Sequence, residues 1–257
     1  MSAPRHIHSA SASTSASAAS IPILMYHNIA RPPREVRSHR SLYVRPGSFA
    51  RQMWLLRRLG YQGLSMQHAM PYLRGERQGK VAVITLDDGY RDNLEHALPV
   101  LQAQGFSATC YVVSDAVGRF NTWDAGKLRV HKPLMTLAQL RAWQQAGMEV
   151  GAHSRSHPHL TRCNDAELDD EIFGGRRMLE DHLGVPVDQF CYPYGDADDR
   201  VVSRVQAAGF DAATTTRRGR ARGGEDAWRL PRVPVSYRHL LPSFALRVLT
   251  DYEAGRR

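Results

Sequence analysis

The chain has 257 residues, 42% of them hydrophobic, and a formal charge of +9. That length carries one sizeable core, and an α/β barrel of this size is routine as a single domain. The three cysteines, Cys110, Cys163 and Cys191, are odd in number and widely spaced, which excludes a disulfide framework and reads as reduced thiols. No stretch approaches the roughly 20 apolar residues of a membrane span.

Residues 1–20 are Ser/Ala-rich low complexity without an apolar signal-peptide core, so a disordered tail and a cytoplasmic protein are expected. The remainder, 21–257, reads as one catalytic domain. "IPILMYH" is a short strand that ends on His27. A proline- and arginine-rich loop follows. Phe49, Met53, Leu56 and Leu59 then recur at helical spacing until Gly60, and Ser65 caps a second helix to Leu73. From Lys80 the pattern is regular. Strands at "KVAVITL", "SATCYVV", "MEVGAH", "QFCYPYG", "FDAATTT" and "LPRVPV" alternate with helices, most of which stop at glycine; Thr136 and Asn164 are cap residues. Strand–helix alternation implies parallel strands joined by right-handed crossovers, and about seven of them favour a (β/α) barrel over an open sheet. Trp54 and Trp143 fall in expected helices and read as core.

In such barrels the chemistry sits at the C-terminal ends of the strands. Those ends carry His27, the pair Asp87-Asp88, His153 with His157, and Tyr192-Pro193-Tyr194-Gly195. Two adjacent buried carboxylates repel unless a cation answers them. "GAHSRSHPHL" supplies two imidazoles four residues apart, which on a helical turn could share an ion, with Ser154 capping that turn. One carboxylate and two imidazoles leave coordination positions open. Zinc fits such a face, as do iron, cobalt, nickel and manganese. His159 is a rival ligand at poorer spacing. "NTWD" places Trp123 and Asp124 in a loop near the rim, where an indole can stack on a sugar or simply anchor the loop. Arginine-rich stretches at 31–58 and 217–224 are either a solvated surface or attraction to an anionic partner such as a membrane surface or a nucleotide-linked sugar. They lack aromatic interleaving, so nucleic acid is not expected.

In this order, "TLDDGY", "HSRSHP" and "CYPYG" resemble the motifs of the polysaccharide deacetylase family (carbohydrate esterase family four), over roughly Ile21 to Val235. The early "ILMYH" and late "LPRVPV" further resemble its poly-N-acetylglucosamine deacetylase subgroup. The resemblance implies a distorted (β/α) barrel and a metal-dependent hydrolase that removes N-acetyl groups from an amino sugar or polysaccharide. It implies Asp88 beside His153 and His157 as metal ligands, Asp87 as general base, the Tyr194 backbone N–H as an oxyanion donor and His27 as general acid. Trp123, Asp124 and Tyr192 are the candidate substrate contacts. The departure is at Cys191, which stands where the family carries the arginine that steadies the catalytic aspartate. Arg232, in the last expected strand, is the candidate replacement. The alternatives are a hydrolase of another C–N bond, in a formamido sugar or cyclic amide, and a non-catalytic carbohydrate-binding relative.

Overall fold

The structure, a computed structural model, describes residues 20–36, 38–124 and 130–256. The Ser/Ala-rich tail up to residue 19 lies outside the described residues, as does Arg37 of the first arginine-rich stretch.

Eight parallel strands are described: β1 (Ile23–Tyr26), β2 (Gln62–Leu64), β3 (Val81–Leu86), β4 (Thr109–Val112), β5 (Glu149–Ala152), β6 (Gln189–Cys191), β7 (Ala212–Arg218) and β8 (Leu230–Pro234). Their order is β1-β8-β7-β6-β5-β4-β3-β2, and β1 also pairs with β3. The β1–β3 pairing, with Ile23 opposite Val83 and Tyr26 opposite Leu86, closes a seven-stranded barrel and leaves β2 outside the ring against the start of β3. At three residues, β2 is too short for a periodic signal, and the sequence reading passes over it.

The helices are α1 (Pro46–Arg58), α2 (Met66–Leu73), α3 (Leu98–Gln104), α4 (Leu137–Gln145), α5 (Asp165–Asp169), α6 (Gly175–Leu183), α7 (Asp199–Ala207) and α8 (Leu241–Leu249). A π-helical turn at Asn93–Ala97 leads into α3, and another at Asp170–Gly174 joins α5 to α6. The expected caps are in place. Ser65 accepts from the His68 N–H, and Thr136 and Asn164 each complete a reciprocal capping box with the Gln or Glu three residues on. Trp143 is fully buried and donates its indole N–H to the Glu149 carbonyl. Trp54 departs from expectation. It is 51% exposed on the outer face of α1, whose core contacts come from Phe49, Met53 and Leu56 instead.

Every residue of β3 is buried, as a parallel strand covered on both faces requires. Alternation along it sorts the side chains. Ala82, Ile84 and Leu86 join the main core, to which the outer helices contribute Phe49, Trp143, Leu179 and Val205. Val81 and Val83 join a second cluster with Ile23, Tyr111, Cys191 and Leu230, which fills the barrel. That parity carries Thr85 and then Asp87 toward the lumen at the C-terminal mouth.

The arginines of the 217–224 stretch are occupied within the chain. Arg217 and Arg220 donate to the carbonyls of Arg229 and Ser20, while Arg218 and Arg222 pair with Glu253 and Asp251. No described helix is long and apolar enough to cross a membrane.

Candidate metal centre and catalytic mouth

The backbone solves the problem set by two adjacent aspartates. On a continuing strand they would face opposite sides of the sheet. Instead Asp88 adopts φ 75° and Gly89 φ 76°, so the chain turns sharply just past β3. Asp87 stays in strand register, its N–H donating to the Tyr26 carbonyl, while Asp88 swings back to the same rim. A left-handed conformation is costly for a residue with a Cβ, and strain of this kind gathers at functional sites.

The two histidines reach Asp88 by a different local route from the one their spacing suggests. Residues 153–159 do not form a helical turn. Ser154 and His157 take φ values of 61° and 68°, and the Ser154 hydroxyl accepts the His157 N–H at 3.0 Å. This tight loop, rather than a helix face, brings the imidazoles together. His153 Nε2 and His157 Nε2 each lie 3.5 Å from Asp88 Oδ1. That separation is long for an N–H···O hydrogen bond, which prefers about 2.7–3.2 Å. It matches the roughly 3.3 Å edge between two ligands bound about 2.0–2.1 Å from one tetrahedral ion. The His153 Nδ1 lies 2.7 Å from the Cys191 carbonyl; the N–H there donates, which turns Nε2 toward Asp88. The donor set therefore fits a divalent cation, and all three residues are buried.

Asp87 is engaged elsewhere. Arg232 grips it with two hydrogen bonds, Nη1 to Oδ1 at 2.7 Å and Nη2 to Oδ2 at 2.8 Å. The same guanidinium donates to the Thr85 hydroxyl, the Thr215 carbonyl and, at 3.3 Å, the Cys191 sulfur. Arg232 thus comes from β8 across the small Cys191 side chain to the carboxylate. Burial pushes the Asp87 carboxyl up, but Arg232 and then His27 outweigh it and hold it below the usual range. For Asp88, burial likewise acts upward, and the His153 and His157 contacts bring it well below that range. Burial lowers the His157 imidazole, which favours the neutral, ligating form. Another cluster, Asp87 with His153 and Cys191, is also compact, but Asp87 has given both oxygens to Arg232, so it is the poorer ion site.

Around these groups lies a cavity of about 270 Å³, whose walls include His27, His39, Trp123, Asp124, Tyr194 and Thr216. His27 Nε2 stands 3.7 Å from Asp87 Oδ2. The Trp123 indole stacks on the His157 ring at 4.7 Å, so one of its faces is already covered. Tyr194, with φ 60°, meets the His157 ring edge-on and stacks on His159, which pairs with Asp196 rather than joining the ligand cluster. Tyr192 reaches the cavity wall but is buried, its hydroxyl donating to the Trp228 carbonyl. His39 and Thr216 escape the sequence reading: one sits in an irregular arginine-rich loop and the other at a strand end without a motif.

Fold and site together define a class: a parallel barrel whose mouth gathers a carboxylate and two imidazoles at a spacing that fits one divalent ion. The polysaccharide deacetylase family model matches residues 74–213, more than half the chain, and the protein belongs to that family. It is 28% identical over 220 residues to YxkH of Bacillus subtilis, a protein provisionally named as a polysaccharide deacetylase, covering 85% of this chain and 72% of that one. It is 24% identical to the poly-beta-1,6-N-acetyl-D-glucosamine N-deacetylase of Escherichia coli K12, over 90% of this chain but 38% of that protein. The Streptococcus pyogenes deacetylase PplD, solved with acetate, shares the fold at a TM-score of 0.79 with 24% identity, covering 90% of this chain and 99% of PplD.

Proposed function

We propose that this chain is a metal-dependent N-deacetylase that hydrolyses the acetamido group of an amino sugar, in polymeric or carrier-linked form, to a free amine and acetate. The observation that carries the reading is the juxtaposition at one barrel mouth of the Asp88–His153–His157 donor set with a second, arginine-held carboxylate, Asp87.

Asp88, His153 and His157 would hold a divalent ion, whose Lewis acidity polarises a carbonyl and acidifies water. Imidazole and carboxylate donors suit zinc, and geometry of this kind also admits iron, cobalt, nickel or manganese. Asp87 takes the proton from the attacking water. Arg232 occupies one lone pair on each Asp87 oxygen and the Cys191 thiol also donates to Oδ2, which leaves an acceptor site on Oδ1 for that water, since a carboxylate has about four. Arg232 also keeps the base ionised and fixed in orientation. The Tyr194 turn offers its backbone N–H to the oxygen that gains charge as the carbonyl is attacked, a contribution typically worth about 3 kcal/mol of barrier. His27, beside Asp87 in the cavity wall, delivers a proton to the departing amine. Asp124 and the open edge of Trp123 contact the sugar.

Acetate release from N-acetylglucosamine oligomers tests this reading. Release should stop with a chelator and return with added divalent metal. A protein that binds the ion yet frees no acetate from oligomers or from nucleotide-linked N-acetyl sugars would refute it.

A further inference from the structure

The loop that carries both histidines is held from outside the mouth by one carboxylate. Glu171, in the π-helical turn between α5 and α6, is buried at 9% exposure. Its Oε2 accepts the backbone N–H groups of Arg155 at 2.9 Å and Ser156 at 2.8 Å, and its Oε1 accepts the Ser156 hydroxyl at 2.5 Å. These donors lie between His153 and His157, in a stretch bounded by the two left-handed residues Ser154 and His157. Successive N–H groups turned to one side form a concavity suited to an anion, and here the helix supplies it. The helix can come this close because residue 175 is glycine: a Cβ there would stand 3.0 Å from the Arg155 nitrogen and 3.1 Å from the Ser154 carbonyl carbon. Other contacts tie the same loop to the segment after β4, through Asp115 N–H to the Arg155 carbonyl and the Arg155–Asp115 ion pair.

We infer that Glu171 is a positioning residue for the metal centre: it fixes the 154–157 backbone so that His157 meets Asp88 and His153 at ligand distance. The inference rests on the metal-dependent reading above. The loop geometry stores unfavourable φ values at two places, and such a conformation persists only where its surroundings over-determine it. Glu171 meets two backbone donors that would otherwise be orphaned between the ligands. Outer residues of this kind typically alter metal affinity by about 10- to 100-fold.

The test is direct titration of metal-free protein with cobalt(II), read by calorimetry and by the visible spectrum of the bound ion, with thermal unfolding of the metal-free forms in parallel. Glu171→Ala should weaken cobalt binding by roughly tenfold or more and change the spectrum. Glu171→Gln, which keeps an oxygen acceptor for the backbone N–H groups, should restore most of the affinity. Ser156→Ala, which removes one of the three bonds, should show a smaller loss, and with Glu171→Gln it decides the matter if the alanine variant at 171 does not fold. Lower thermal stability with wild-type cobalt affinity and spectrum would overturn the inference. Asp88→Ala separates the two claims: if wild type binds no metal, or Asp88→Ala binds it as well as wild type, the metal-centre reading itself fails.

Discussion

The two ends of the barrel each hold a carboxylate among strand ends, and they treat it in opposite ways. At the mouth, Asp87 faces the Arg232 guanidinium and is held ionised. At the other end Glu149 opens β5 and accepts from neutral donors, among them the Thr109 hydroxyl at 2.5 Å and the Gln67 N–H of the first turn of α2 at 3.1 Å. Burial pushes the Glu149 carboxyl up to about 7, and these hydrogen bonds only partly oppose it. At Glu149 the neutral donors do not offset burial, whereas at Asp87 the paired guanidinium does. The mouth carboxylate therefore has an arginine partner, and the carboxylate that seats α2 has neutral donors among the described residues.

Four substitutions sharpen this contrast. The largest effect belongs to Asp88→Ala, which should abolish both metal binding, measured by elemental analysis of purified protein, and acetate release. Asp87→Asn should keep the metal and lower turnover by roughly a hundred- to ten-thousand-fold, the range of a general base; a near-normal rate would remove Asp87 from that role. Arg232→Met leaves Asp87 buried without its cation and should cost about 3–5 kcal/mol in denaturant unfolding. The Asp87→Asn/Arg232→Met double variant should recover much of that stability and none of the activity, which separates the fold's need for the pair from the reaction's. The smallest effect is at the far end. The folded Glu149 pKa of about 7 lies above its ordinary 4.5, so the native state binds more protons between these values. The Glu149 contribution to stability should then fall as pH rises from about 4.5 to 7 and level off above, because the slope follows the extra protons held by the native state. Glu149→Gln should lack that component; parallel urea titrations at pH 5 and 8 that show the same difference for both proteins would place the Glu149 titration outside this window.

The chain's own pattern announces most of the frame. Apolar runs that end on charged or imidazole residues, with glycines at the helix stops, point to a parallel barrel and to the mouth as its working end. Ser65, Thr136 and Asn164 mark helix starts because capping is a local interaction between residues three apart. The reading is weaker wherever the decisive contact is long-range or the backbone irregular. The strand β2 is seen only once β3 is there to pair with it. Trp54 turns outward because other residues of α1 fill the core. Glu171 leaves the faint signal of one carboxylate on the buried side of an otherwise ordinary amphipathic helix.

The amino-acid order by itself determined which donor atoms this protein owns and roughly where along the chain they fall: two aspartates at a strand end, two histidines four apart, a cysteine where its family carries an arginine. Tertiary structure alone decided how they meet. Left-handed turns at Asp88, Ser154 and His157 aim the donors at one point, and barrel closure brings Arg232 onto Asp87, 145 residues away in the chain. The physical reason is that identity and short-range hydrogen bonding are properties of neighbours in sequence, whereas a buried charge can choose its partner only after the sheet has closed around it.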